Sequence, residues 1–223
     1  MITETILSNK TSEAKNQTER MNGYYRFHAK IYDLSRWTFL FGRRRIIDNL
    51  PFPENAAILI LEVGCGTEKN LAYIGHRFPK AKMIGVDISR EMLAQARKKM
   101  QPISSRVQLI EGTYGEKDLS FVEKPDVILF SYCLTMVNPD FEKLIEQANY
   151  DLKPDGIIAV VDFHDSRFES FKRWMSINHV RMESHLLPIL KNNFSELRTE
   201  ILSAYTGAWK YLIIYGKKMN DIK

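Results

Sequence analysis

The sequence predicts an α/β protein whose doubly wound, mostly parallel sheet ends in an antiparallel hairpin. Three observations predict it. Five short apolar runs alternate with segments of helical periodicity between residues 58 and 162, the β-α-β order that builds parallel sheets. The first run, ILILEV at 58–63, breaks at Gly64 and Gly66 and gives way to a helical pattern from about Lys69. Two β-patterned runs, near 197–205 and 209–215, flank Thr206-Gly207 at the end of the chain, a hairpin signal.

The elements follow in order. Residues 1–20 are polar and lack aromatics, so a mobile tail is expected. Residues 21–50 interleave tyrosine, phenylalanine and tryptophan with arginine, and Phe27, Ile31, Leu34, Thr38 and Phe41 keep helical spacing. They predict an amphipathic helical lid or cap. Pro51 and Pro53 close it, and residues 51–223 form the main domain. KMIGVD at 82–87 is the second strand, and Ser89 caps a helix whose inner face holds Met92, Leu93 and Ala96. Strands are expected at 107–110 and 126–132, a helix at 139–152, a Lys-Pro-Asp-Gly turn at 153–156 and the fifth strand at 156–162. A partly helical insert at 163–193 then interrupts the sheet.

Composition bounds the function. With 223 residues, 44% of them hydrophobic, the chain can bury one good core. Cys65 and Cys133 are far apart and lack metal-ligand spacing, so no disulfide framework or metal site is expected. The N-terminus lacks a signal-peptide core, and no apolar run approaches the roughly 20 residues that span a bilayer. A cytoplasmic protein is expected. The net charge of +5 makes an anionic partner plausible, nucleic acid or a membrane surface, and fits a solvated basic surface equally.

The glycine loop indicates a nucleotide-type cofactor. Glycines let the backbone turn and approach a ligand closely, and the helix that follows would point its free N–H groups at the same ligand. Asp87, at the end of the second strand about twenty residues on, can take two ribose hydroxyls. The dinucleotide fingerprint requires a third glycine where Lys69 stands. The acid Glu62 before the glycines, Asp87 with its following helix EMLAQA, LKPDGIIAVVD and the terminal hairpin together resemble class I S-adenosylmethionine-dependent methyltransferases. The resemblance implies a Rossmann-like, seven-stranded sheet, mostly parallel with a C-terminal antiparallel hairpin, and S-adenosylmethionine as cofactor. The segment 25–47, DFHD at 162–165, RWMSINHVRMESHLLP at 173–188 and AWKYLIIYGKK at 208–218 are similar to bacterial diacylglycerylhomoserine N-methyltransferases, which methylate a betaine-lipid headgroup three times. Two departures stand out. Glu68 replaces the loop's usual third glycine, and Glu111-Gly112-Thr113-Tyr114 stands where that family has Gly-Asp-Ala.

On this reading Glu62 and the amides of Gly64, Cys65 and Gly66 orient the methionyl end. Asp87 holds the ribose; Ile88, Met92, Gly112 and Thr113 line the adenine site; Ser131 and Tyr132 follow the fourth strand into the pocket. Cys65 is not a nucleophile, because no partner base sits beside it in sequence. An amine must lose a proton before it attacks, and Asp162 and His164 are the candidate acceptors. Tyr25, Tyr32 and Tyr132 are candidate cation–π walls for a methylated amine. Arg36 or Arg181 is a candidate for a headgroup carboxylate, and His179 is a further substrate contact; His179 and His185 are less well placed as acceptors. The expected partners are the membrane lipid substrate, an anionic membrane surface reached peripherally from the cytoplasmic side, and the enzyme that makes the homoserine headgroup; no nucleic acid is expected. The alternatives are methylation of phosphatidylethanolamine or a small amine, and, in another class, a non-catalytic cofactor-fold protein binding an anionic membrane or nucleic acid, which Glu68 alone favours.

Overall fold

A computed structural model of the chain describes residues 39–115 and 123–219. Strand β1 (Leu59–Val63) is buried at every residue, as is β4 (Val127–Ser131), because helices cover both faces of the sheet. The remaining strands are β2 (Lys82–Asp87), β3 (Val107–Glu111), β5 (Ile157–Ser166), β6 (Phe194–Ala204) and β7 (Trp209–Lys218). Their order is β3-β2-β1-β4-β5-β7-β6. The first five run parallel, and β7 lies antiparallel between β5 and β6. The doubly wound sheet and its terminal hairpin are therefore as the sequence predicts.

The helices are α1 (Arg43–Asp48), α2 (Lys69–Arg77), α3 (Arg90–Met100), α4 (Phe141–Asp151), α5 (Glu169–Ile177) and α6 (Leu186–Asn193). Helices α4 and α6 cover the face that carries Leu61, Val63, Ile128 and Phe130. Glu62 alternates with Leu61 and Val63 along β1 and so points to the opposite face, towards α2. Ser89 caps α3 by accepting from Met92 N at 3.3 Å, as its spacing predicts.

One boundary is corrected. β5 does not end at Asp162 but continues to Ser166, because Phe163–Ser166 find a partner in the first residues of β7. The register slips between Phe163 and Asp165, so His164 sits on a bulge, a feature that re-aims a side chain. The expected insert thus begins as strand and becomes helical only from Glu169. Of the lid segment, α1 is described, while 21–38 lie outside the described residues, and with them Tyr25, Tyr32 and Arg36.

Candidate active site

The strand order reverses between β1 and β4, so the loops after these two strands frame a crevice at the carboxyl edge of the sheet. Gly64 takes φ +70°, and a Cβ there would stand 3.0 Å from Cys133 Sγ in the facing loop. Only glycine lets the two loops meet so closely. The loop amides do not face the crevice as expected. Gly64 N and Cys65 N donate to Val86 O at 2.8 and 3.1 Å, and Gly66 N donates to Asp87 Oδ2 at 2.8 Å. These bonds tie the loop to β2 and preset its shape; the amides are not the main ligand donors. Cys65 is buried, and burial beside Glu62 and Asp87 drives its thiol pKa far up, so it is packing and not a nucleophile.

Asp87 Oδ1 accepts from Ser89 N at 2.8 Å while Oδ2 accepts from Gly66 N. Both bonds fix the orientation of the carboxylate, and a pinned carboxylate suits a vicinal diol. Ile88 is 46% exposed beside it, while Met92 is buried beneath. Gly112 N donates to Asp87 O at 3.1 Å, which brings the end of β3 to the same spot, with Thr113 exposed there. Glu111 pairs with Arg90 at 3.5 Å, and Tyr114 is buried with its hydroxyl donating to Asp151 at 2.8 Å. Glu111 is therefore the acid nearest this edge of β3. Ser131 Oγ, at the end of β4, is buried with no hydrogen-bond partner, a cost of roughly 1–3 kcal/mol unless a ligand supplies one. A pinned diol acceptor, an exposed apolar shelf and an orphaned hydroxyl together fit an adenosyl cofactor.

Glu68 solves the problem of the missing glycine by brute force. It adopts φ +79° as the residue before α2, and its buried carboxylate meets Lys99 of α3 at 3.0 Å. The left-handed conformation costs about 1–2 kcal/mol for a residue with a Cβ. The turn into α2 forms nonetheless, so the departure leaves the loop's shape intact.

Residues 60–156 match the family model described as a methyltransferase domain. Residues 60–156 are thus similar to a methyltransferase domain, on a sheet that has the fold of S-adenosylmethionine-dependent methyltransferases. The chain is 32% identical over 133 residues to trans-aconitate 2-methyltransferase of Variovorax paradoxus, covering 59% of this chain and 48% of that protein. It is 35% identical over 165 residues to carboxy-S-adenosyl-L-methionine synthase of Wolinella succinogenes, covering 73% of this chain and 64% of that one. The chain thus spans about half to two thirds of these relatives' lengths. The N-methyltransferase NodS from Bradyrhizobium japonicum WM9, solved with S-adenosylhomocysteine, has the same fold at TM-score 0.65 and 16% identity, covering 80% of this chain and 86% of that one.

The other half of the methyltransferase crevice is built from β5, the loop after β4 and the segment before α6. Asp162 is fully buried, and its carboxylate accepts from Thr135 Oγ1, from Thr135 N at 3.2 Å, from Cys133 N at 3.1 Å and from Phe163 N at 2.8 Å. Burial raises its pKa to about 6 against the pull of those donors. With four donors on two oxygens it cannot accept a substrate proton. Asp162 instead positions the loop after β4. Tyr132 is corrected likewise: it sits at φ +54°, buried, with its hydroxyl donating to Phe41 O at 2.8 Å and its ring edge-on to Phe163 at 4.7 Å. Burial and the Asp162 charge push its pKa well up. It anchors the wall, and its buried ring leaves no open face for a methylated amine.

His164 is the candidate that survives. It is buried on the β5 bulge, Nδ1 has no hydrogen-bond partner, and burial lowers its pKa, keeping it neutral at pH 7. Arg181 N donates to Thr135 O at 2.9 Å and Ser184 N to His164 O at 2.8 Å, which lays residues 181–185 across this end of β5. They carry in His185, whose ring is edge-on to Phe141 at 4.8 Å and whose two nitrogens are buried without partners. His179 stays exposed in the turn after α5 at φ +62°.

Two residues escape the sequence reading. Thr135 carries no local signal. Asn70 does: it occupies the buried face of α2 with Leu71 and Ile74, and a polar residue on an apolar face requires a partner. Its partner is Glu62, to which Asn70 Nδ2 donates at 2.6 Å.

Beside this half runs a ladder of aromatic rings. Phe171 stacks between Trp174 at 5.8 Å and Trp209 at 5.4 Å, Trp209 meets Tyr205 at 4.8 Å, and Tyr205 meets Phe41 at 5.3 Å. Trp174 and Tyr205 are about half exposed, as is Phe168, whose ring lies 4.7 Å beneath the Arg167 guanidinium. Arg173 and Lys210 are exposed nearby in sequence on α5 and β7. Among the described residues no helix is long and apolar enough to cross a membrane.

Proposed function

We propose that the protein methylates the amine headgroup of a membrane lipid, converting diacylglycerylhomoserine to its trimethyl betaine lipid, while bound peripherally to the cytoplasmic face of the membrane. The observation that carries this reading is the half-exposed aromatic ladder with its arginine and lysine rim. Tryptophan and tyrosine are favoured at the interfacial depth of a bilayer, and each nearby cationic side chain adds roughly 1 kcal/mol of attraction to anionic lipid. A soluble small amine would need neither.

When bound, S-adenosylmethionine supplies a sulfonium methyl that an amine lone pair displaces in line, leaving S-adenosylhomocysteine. This chain's residues supply alignment and proton removal. Gly64 and the pinned Asp87 hold the cofactor's place against the β4 loop, which Asp162 fixes through Cys133 and Thr135. Neutral His164 accepts the ammonium proton at Nδ1. The supply of homoserine headgroup by a second enzyme belongs to the same reading.

The test offers methyl-labelled S-adenosylmethionine and vesicles of diacylglycerylhomoserine, of phosphatidylethanolamine, or a soluble amine without vesicles. Label in the homoserine lipid is expected. Label confined to phosphatidylethanolamine overturns the substrate, and label in the soluble amine alone overturns the membrane reading.

A further inference from the structure

Glu62 is a buried carboxylate, 1% exposed, and burying such a charge is costly unless hydrogen bonds hold it. Asn70, itself buried in the first turn of α2, donates from Nδ2 to Glu62 Oε1 at 2.6 Å. Its other end is equally committed: Asn70 Oδ1 accepts from Arg43 Nε at 2.8 Å. The two contacts leave one amide orientation. Flipping it would set oxygen against the carboxylate and NH₂ against the guanidinium, since a carboxylate only accepts and a guanidinium only donates. Arg43 therefore decides how Asn70 points, and Asn70 in turn holds the carboxylate of Glu62 at Oε1.

Arg43 does not belong to the glycine loop. It opens α1, which is held elsewhere by the buried Ile46 and Ile47 and by Tyr215, whose hydroxyl donates to Ile46 O at 3.0 Å. The chain Arg43–Asn70–Glu62 thus connects a helix anchored on the terminal hairpin to the acid before the glycines. We propose that Asn70, oriented by Arg43, is a positioning residue that aims the Glu62 carboxylate at the ammonium of the cofactor's methionyl end. The proposal rests on the reading of Glu62 as the methionyl contact. It makes α1 part of the cofactor site without any contact to the cofactor.

The test compares two ligands on the full chain by calorimetry: S-adenosylhomocysteine, and methylthioadenosine, which keeps the nucleoside and thioether but lacks the amino-acid end. Asn70→Leu is expected to weaken S-adenosylhomocysteine about 10- to 50-fold, while methylthioadenosine stays within about twofold. Arg43→Met, which removes the partner that orients Asn70, is expected to weaken S-adenosylhomocysteine about 3- to 10-fold with the same selectivity. It also serves if Asn70→Leu does not fold. Equal weakening of both ligands, or no weakening of either, overturns the relay and leaves Asn70 a structural residue. Glu62→Gln separates the two layers of the argument. If it leaves the ratio of the two affinities unchanged, the underlying reading of Glu62 falls and the relay with it. If it lowers the ratio while Asn70→Leu and Arg43→Met do not, the relay alone falls.

Discussion

The two halves of the crevice hold polar groups of different kinds. On the glycine-loop side each acid has a protein partner, Asp87 in Gly66 N and Ser89 N, Glu62 in Asn70 and Glu68 in Lys99, although Glu68 Oε2 and Ser131 Oγ stay buried without a hydrogen bond. On the β5 side Asp162 is saturated, yet His164 Nδ1 and both nitrogens of His185 are buried with no hydrogen-bond partner. A cofactor that is the same in every turnover suits a preset site. On the proposed function, a substrate amine that changes its methylation state and must shed protons suits a site with acceptors in reserve.

The largest effect expected from breaking this contrast is on catalysis. His164→Asn should lower kcat about 100-fold, within the usual range for a lost general base. Its affinity for S-adenosylhomocysteine should stay within twofold in calorimetry; a parallel loss of affinity would dissolve the division into halves. Next comes Asp162→Asn, which turns an acceptor towards the backbone donors Cys133 N and Thr135 N into an amide that can meet only part of them. A cost of about 3 kcal/mol is expected, roughly a 10 °C drop in Tm for a domain of this size. The pH dependence has a definite sign. The folded carboxyl titrates at about 6 against an ordinary 3.8, so its contribution is full below about pH 4 and lost as pH rises through 6. Wild type should therefore gain stability over Asp162→Asn as pH falls from 6 to 4, and a flat difference in denaturation free energy would deny the raised pKa.

His185 should show the opposite slope. Burial, more than the Arg181 charge, lowers its pKa to about 4 from 6.5, so its contribution is present above pH 6.5 and lost as pH falls towards 4. His185→Phe, which keeps a ring against Phe141, should remove about 1–2 kcal/mol of wild-type acid sensitivity, after allowance for partial exposure. Thermal scans at pH 7 and pH 5 would check it. The smallest effect lies back in the cofactor half. Glu68→Gly relieves a left-handed residue at the loss of a pair to Lys99, whose side chain is 54% exposed. A net gain of up to about 1 kcal/mol is expected, and a destabilised variant in urea titration would mean the pair outweighs the strain.

Legibility in the sequence follows the same divide. The glycine loop, Asp87 and the Ser89 cap were readable because each acts over a few residues: a turn needs glycine, and an extended run ending in an acid needs only its own periodicity. Glu68 was readable as a departure, though not its partner, which stands 31 residues away on α3. The β5 side was misread at Asp162 and Tyr132 for a related reason. Both types are chemically able to serve a catalyst, and only their surroundings show them to be used up.

By itself, then, the sequence determined the parallel core, the terminal hairpin, the glycine loop and the acid that ends β2. Apolar period, turn chemistry and capping are local, and neighbouring residues dictate them. The tertiary structure alone decided that the loop amides are spent on Val86 and Asp87, that β5 runs on to Ser166 beside β7, that Asp162 is a brace and that Arg43, Asn70 and Glu62 form one chain. The Thr135–Asp162 and Arg43–Asn70 contacts each join residues 27 positions apart. Which donors a buried polar group meets is set by the elements that packing brings beside it, and that information does not lie in any stretch of sequence short enough to carry a pattern.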